Sequence, residues 1–251
     1  MKKIIIGNWK MNPSSVKEAV SLVSNIDKKI SSNGNVVLCP PFIYIGAVRG
    51  ALSKKSSIKL GAQDCFYEEG GSFTGEIAPS MLKSMDVKYA IIGHSERRAR
   101  GESNDIVNKK IRALLKKGIK VILCVGEEER DETGLYLKRI EEQVKEGLRG
   151  VSKNNFKNII VAYEPVWAIG SDASKNCDPK DIKEISIFIK KILVDLSSRE
   201  IGLSVQIIYG GSVDVKNAPE IVSNGGVDGL LAGRASLDAK KFSDIINLLF
   251  S

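Results

Sequence analysis

One histidine occurs in this chain of 251 residues, in the stretch Tyr89-Ala-Ile-Ile-Gly-His94-Ser-Glu-Arg-Arg98. An apolar run ends at Gly93 and polar residues follow, so His94 sits where a strand would give way to a helix. Any imidazole chemistry belongs to this residue. Glu164 occupies a comparable place in Ala162-Tyr-Glu-Pro-Val-Trp-Ala-Ile-Gly170, behind another apolar run. Pro165, Trp167 and Ile169 give it apolar cover, and desolvated carboxylates are the better proton acceptors. Asn8 and Lys10 follow the first apolar run and add an amide and an ammonium. Taken singly, a lone histidine reads as a hydrogen-bonded structural residue, and a lone glutamate or lysine as a solvated one. Together they supply a base, a neutral donor and a cation, a set suited to moving a proton next to a carbonyl.

Two small-residue turns complete the set: Gly210-Gly211-Ser212 and Gly233-Arg234-Ala-Ser236. Each follows an apolar run and is expected to enter a helix. Exposed backbone N–H groups at such a place favour an anion. One glycine turn carries little weight, because tight turns need glycine anyway. Two in succession point to a phosphate site.

The elements that must position these groups alternate along the chain. Short apolar runs cover Ile4–Trp9, Val36–Cys39, Ile58–Ala62, Tyr89–Gly93, Val121–Val125, Ile159–Tyr163, Val205–Tyr209 and Gly229–Ala232. Their nearly continuous apolar character suits parallel strands covered on both faces. Segments of helical period lie between them: Val16–Ile30, Asn104–Lys117, Tyr136–Leu148, Asp181–Leu196, Val215–Ser223 and Leu237–Phe250. The length and alternation predict an α/β fold, a single-domain (β/α)8 barrel over residues 1–251. An open doubly wound sheet is the structural rival. It favours a dinucleotide fingerprint after the first strand, and Gly7-Asn8-Trp9-Lys10 is not one.

Composition narrows the function classes. No apolar run approaches the ~18 residues that span a bilayer, and the N-terminal run is too short for a secretory signal. The expected location is the cytoplasm, with no membrane partner. Cys39, Cys65, Cys124 and Cys177 form no CxxC pair, so a disulfide scaffold or zinc site is not expected. Cys39 and Cys124 close apolar runs and read as buried thiols. The net charge of +8 comes largely from scattered lysine pairs such as Lys109-Lys110 and Lys190-Lys191. These read as solvated helix faces, not as a nucleic-acid surface, and their field would attract a small anion.

With these residues in hand, the chain resembles the triosephosphate isomerase family. Further stretches carry the resemblance: Gly7-Asn-Trp-Lys-Met-Asn12, Gly61-Ala-Gln63, Ser72-Phe-Thr-Gly-Glu-Ile77, Cys124-Val-Gly-Glu127 and Tyr209-Gly-Gly-Ser-Val213. It implies that Glu164 abstracts a carbon-bound proton from dihydroxyacetone phosphate or glyceraldehyde 3-phosphate. It implies that His94, a neutral imidazole at a helix N-terminus, polarises the carbonyl and shuttles a proton; the family is itself the standard illustration of this arrangement. Lys10 would supply positive charge with Asn8 beside it, Glu96 would pair with Lys10, and Ser95 would orient the base. Gly170, Ser212, Gly233 and the N–H of Arg234 would hold the phosphate. Residues Pro165–Ser174 would form a lid that excludes water. No metal or organic cofactor is implied. The segment Gln63–Glu76 resembles a loop that enters a second subunit, which implies a homodimer.

Three departures stand against the family's pattern. The lid continues as Ser171-Asp-Ala-Ser-Lys-Asn-Cys-Asp178, Arg234 stands where a glycine is common, and Ala99-Arg-Gly-Glu102 is shorter and lacks an aromatic. Two other readings remain open at this stage: another sugar-phosphate isomerase on the same barrel, and a non-catalytic protein that binds anionic surfaces.

Overall fold

The computed structural model describes residues 3–30, 34–169 and 177–250. Eight parallel strands close on themselves in sequence order, with β1 paired to both β2 and β8. They are β1 Ile4–Asn8, β2 Asn35–Cys39, β3 Lys59–Ala62, β4 Tyr89–Ile92, β5 Lys120–Val125, β6 Ile159–Tyr163, β7 Gln206–Tyr209 and β8 Gly229–Ala232. Closure excludes the open-sheet rival.

Successive side chains on a strand point to opposite faces, and both faces here are dry. Ile4 and Ile6 fill the barrel interior with Val37, Ile91, Ile122, Ile160 and Ile208. Ile5, Leu38, Ile92, Leu123 and Val161 face outward against the helices. This double burial is why the strands read as unbroken apolar runs.

The helical wall comprises α1 Val16–Lys29, α2 Ile45–Ala51, α3 Pro79–Ser84, α4 Ser95–Arg98, α5 Asn104–Lys116, α6 Leu135–Gly147, α7 Pro179–Leu196, α8 Arg199–Ser204, α9 Ala218–Asn224 and α10 Ala239–Phe250. Local chemistry sets their starts. Ser15 caps α1, Ser103 caps α5 and Asp178 caps α7 by accepting backbone N–H groups, and Pro179 opens α7 with its preset φ. Ile182, Ile185, Ile189 and Ile192 form the buried stripe of α7.

Two expected helices begin later than their sequence suggests. The segment Val215–Ser223 becomes a turn followed by α9 from Ala218, because Asp214 and Asn217 hold each other's backbone in a turn. The segment Leu237–Phe250 begins as a 3₁₀ turn, Arg234–Leu237, and becomes α-helical at Ala239.

The lysine pairs are not uniformly solvated. Lys110 is buried and donates to both oxygens of Asp64 at 2.8 and 2.9 Å, and also to Glu102. Lys190 donates to the carbonyls of Leu203 and Val205. In both cases one member of the pair turns inward because it has fixed acceptors to satisfy. All four cysteines are buried free thiols.

Candidate active site

Asn8 is the last residue of β1 and is buried. Its side-chain oxygen accepts the N–H of Lys10 at 3.0 Å, which helps hold Lys10 at φ 51°, a left-handed conformation that a lysine adopts only under constraint. Gln63, at the end of β3, donates its amide to the carbonyls of Lys10 (2.8 Å) and Cys39 (2.9 Å). The loops after three adjacent strands are thereby tied together. The Lys10 ammonium lies 2.6 Å from Glu96 Oε1.

Gly93, at φ 73°, turns the chain sharply from β4 into α4 and leaves His94 as the helix cap. His94 Nδ1 accepts the N–H of Glu96 at 3.2 Å. A nitrogen that accepts carries no proton, so the proton of the imidazole sits on Nε2. His94 is 6% exposed, and its Nε2 lies 3.4 Å from Glu164 Oε1.

Glu164 follows β6 and is 2% exposed. Its Oε2 accepts the N–H of Ser95 at 3.2 Å, while Oε1 has no hydrogen-bond partner among the described residues. Ser95 therefore holds the carboxylate through its backbone N–H. Just beyond the neighbouring strand β7, a Cβ on Gly210 would stand 2.8 Å from Glu164 Cγ, so only glycine leaves the carboxylate its room. Burial, with the Glu164 carboxylate alongside, pushes the Cys124 thiol well up.

A cleft of about 530 Å³ joins these groups to the other expected residues, with Asn8, Lys10, His94, Glu164, Ser212, Gly233 and Arg234 all on its wall. The turn Gly210–Ser212 does not enter a helix directly, which corrects the expectation from sequence; the turn after β8 enters the 3₁₀ turn at once. The N–H of Ser212 donates to the carbonyl of Ala168 at 3.1 Å, so it must leave that partner to hold an anion. Gly170 lies outside the described residues, as does the half of the lid from 170 to 174. A second cavity of about 380 Å³ lies beside Glu164, between Arg98, Asn104 and Gln143, but lacks Lys10 and His94.

Residues 3–249 match the family model described as triosephosphate isomerase. The chain is 45% identical over 249 residues to the triosephosphate isomerase of Carboxydothermus hydrogenoformans, with 98% of each chain covered. It is 42% identical over 250 residues to that of Aquifex aeolicus, covering 98% of this chain and 99% of the relative. This chain belongs to the triosephosphate isomerase family. Its departures from the triosephosphate isomerase pattern can then be placed. The short segment after Arg98 is well anchored: Arg98 donates to the carbonyl of Gly93 (2.7 Å) and to Asn104 (2.6 Å), and Glu102 is buried against Lys110. Arg234 opens the 3₁₀ turn with its side chain exposed at the cleft.

In the sequence Gln63 stands out only as the first residue of the loop expected to enter a second subunit, and Glu127 has no role of its own. Glu127 is fully buried, and its Oε1 accepts from Tyr163 (2.8 Å) and Trp167 (2.9 Å), while its carbonyl accepts the N–H of Val166 (2.9 Å). It anchors the stretch that follows Glu164. The signal was present, since Cys124-Val-Gly-Glu127 places a carboxylate behind an apolar run just as Glu164 is placed.

Proposed function

We propose that this protein interconverts dihydroxyacetone phosphate and D-glyceraldehyde 3-phosphate through an enediolate, in glycolysis and gluconeogenesis, in the cytoplasm. The observation that carries the reading is the convergence of Glu164 Oε1, His94 Nε2–H and the Lys10 ammonium on one cleft. Glu164 takes the proton from the carbon beside the carbonyl. The C–H electron pair becomes the C=C bond, and the carbonyl π pair moves onto oxygen. His94 Nε2–H and Lys10 stabilise that oxyanion, and preorganised electrostatic help of this kind usually contributes most of the rate acceleration in such catalysis. A proton then passes between the two oxygens by way of His94, and Glu164 returns its proton to the neighbouring carbon. Ser212, Gly233 and the N–H of Arg234 hold the phosphate, joined by Gly170 from the lid. The family assignment supports the same reaction.

The protein acts as a homodimer in this reading. Large apolar side chains lie open in the segments after β1, β2 and β3: Met11 is 94% exposed and Ile43 78%, and Phe42, Phe73 and, on α3, Met81 accompany them. Exposure of several large apolar side chains after three neighbouring strands supports an interaction surface. Sedimentation of the native chain beside Phe73→Asp tests it; a fully active monomer would overturn it.

The deciding assay couples triose phosphate interconversion to a dehydrogenase, with Glu164→Gln as the control. Fast turnover that falls about 10²–10⁴-fold in the variant is expected. A folded native protein without turnover would sink the reading.

A further inference from the structure

Helices α7 and α8 leave an open groove of about 520 Å³ between them, and neither helix contributes to the catalytic cleft. Ile187, Lys191 and Val194 sit at the spacing that places side chains on one face of α7, and Leu203 of α8 lines the same groove. Ile187 is 61% exposed and Leu203 49%, so the wall is aliphatic and open to water. Ser186 donates its hydroxyl to the carbonyl of Gly226 at 3.4 Å, which ties α7 to the turn before β8.

Three cations border this wall. The Lys190 ammonium donates to the carbonyls of Leu203 (2.8 Å) and Val205, which are neutral acceptors. Asp228 Oδ2 stays 4.0 Å from it and already accepts the N–H of Ile207 at 2.9 Å. Burial, only partly offset by Asp228, holds the Lys190 ammonium below the usual lysine range, as expected of a charge short of counter-charge. Lys191 and Arg199 make no hydrogen bond or ion pair among the described residues. No carboxylate is among the described residues that line the groove.

An aliphatic wall bordered by unmatched positive charge fits a ligand with an aliphatic tail and an anionic head. The groove falls within the range of about 300–1,000 Å³ typical of small-molecule sites. Its three aliphatic side chains are far fewer than the roughly 20–30 residues a side that a stable protein interface uses. Its wall holds no aromatic ring on which a base could stack. From Ile187 to Val194 the helix rises about 10 Å, a length that suits one short tail. We propose that this groove binds a free medium-chain fatty acid, with the tail along Ile187, Val194 and Leu203 and the carboxylate among Lys190, Lys191 and Arg199.

Calorimetric titration with decanoate, below its micelle-forming concentration, tests the site, and methyl-resolved NMR locates it. Saturable binding is expected, with shifts concentrated on the methyls of Ile187, Val194 and Leu203. Affinity should rise about two- to fourfold per methylene from hexanoate to decanoate, since a fully buried CH₂ contributes about fourfold and this groove is open on one side. Lys191→Gln with Arg199→Gln is expected to weaken decanoate about two- to tenfold, the scale of exposed ion pairs, and to leave decanol unchanged. Leu203→Ser should weaken both ligands, while unchanged melting temperatures in these surface variants separate lost binding from lost folding. Absence of saturable binding, shifts scattered elsewhere, or equal decanoate affinity with and without the two cations would overturn the site. Association with anionic phospholipid vesicles in place of free decanoate would overturn it too, and would assign the cations to a membrane surface.

Discussion

His94 Nε2 stands 3.4 Å from Glu164 Oε1, so an imidazole nitrogen and a carboxylate oxygen, both on buried residues, share one small volume of the cleft. The Glu96 N–H bond to Nδ1 fixes which imidazole nitrogen faces that volume. Nitrogen-15 NMR of the neutral imidazole is expected to show the proton on Nε2 and none on Nδ1. His94→Gln, which keeps a donor but cannot relay a proton, is expected to lose about 10²–10⁴-fold in kcat. Retention of more than a tenth of the activity would remove His94 from the chemistry.

Gly210 holds open the space behind the base. The Cβ of Gly210→Ala would meet Glu164 Cγ at 2.8 Å and displace the carboxylate. Misplacement by ~1 Å costs about 10²-fold, so a fall in kcat approaching that size is expected. The melting temperature should move little, because a flexible side chain yields more easily than backbone. A normal kcat would show that the base tolerates the shift.

Lys10 and Glu96 separate charge from position. Lys10→Met removes the cation and is expected to lower kcat/KM about 10²–10³-fold, the scale seen when an oxyanion donor is removed. Glu96→Gln keeps the ammonium and weakens its 2.6 Å anchor, so a smaller loss is expected. Equal losses in the two variants would mean that the pair acts as one unit.

Lys110 is buried between Asp64 and Glu102, and burial pushes the Asp64 carboxyl up against the pull of that lysine. Lys110→Met leaves two buried carboxylates short of a partner. Denaturant unfolding should show a loss of about 3–5 kcal/mol, the range for breaking a buried pair. A loss below ~1 kcal/mol would mean that Arg97, 2.8 Å from Asp64, neutralises the cluster alone.

Asp131 lies just ahead of α6, and its pKa is lowered to about 2 by the Thr133 hydroxyl and by the N–H groups of Leu135, Tyr136 and Thr133. A depressed carboxylate stabilises the fold above its unfolded value of about 3.9, and the contribution is lost as pH falls towards the folded value. The pH dependence of stability should therefore flatten in Asp131→Asn between about pH 4 and pH 2. A carbon-13 titration midpoint near 4 in the native protein would contradict the hydrogen bonds.

Sequence alone determined the alternation of strands and helices and set Asn8, Lys10, His94, Glu164, Ser212 and Gly233 in the stretches that end or follow strands, where the structure gathers them on one cleft. These were legible because strands buried on both faces must be apolar throughout, and a polar residue that ends such a run stands out. Caps were local too: Ser15, Ser103 and Asp178 mark helix starts within three residues of themselves. Tertiary structure alone decided barrel closure, since pairing of β1 with β8 joins residues from opposite ends of the chain. It decided that Ser95 acts through its backbone, that Gly210 makes room for Glu164, and that Gln63 and Glu127 brace the loops. It also turned Lys110 inward, because only the fold brings Asp64 and Glu102 to one ammonium. Such relationships join residues distant in sequence, and their distances follow from how the strands close, which no local pattern encodes.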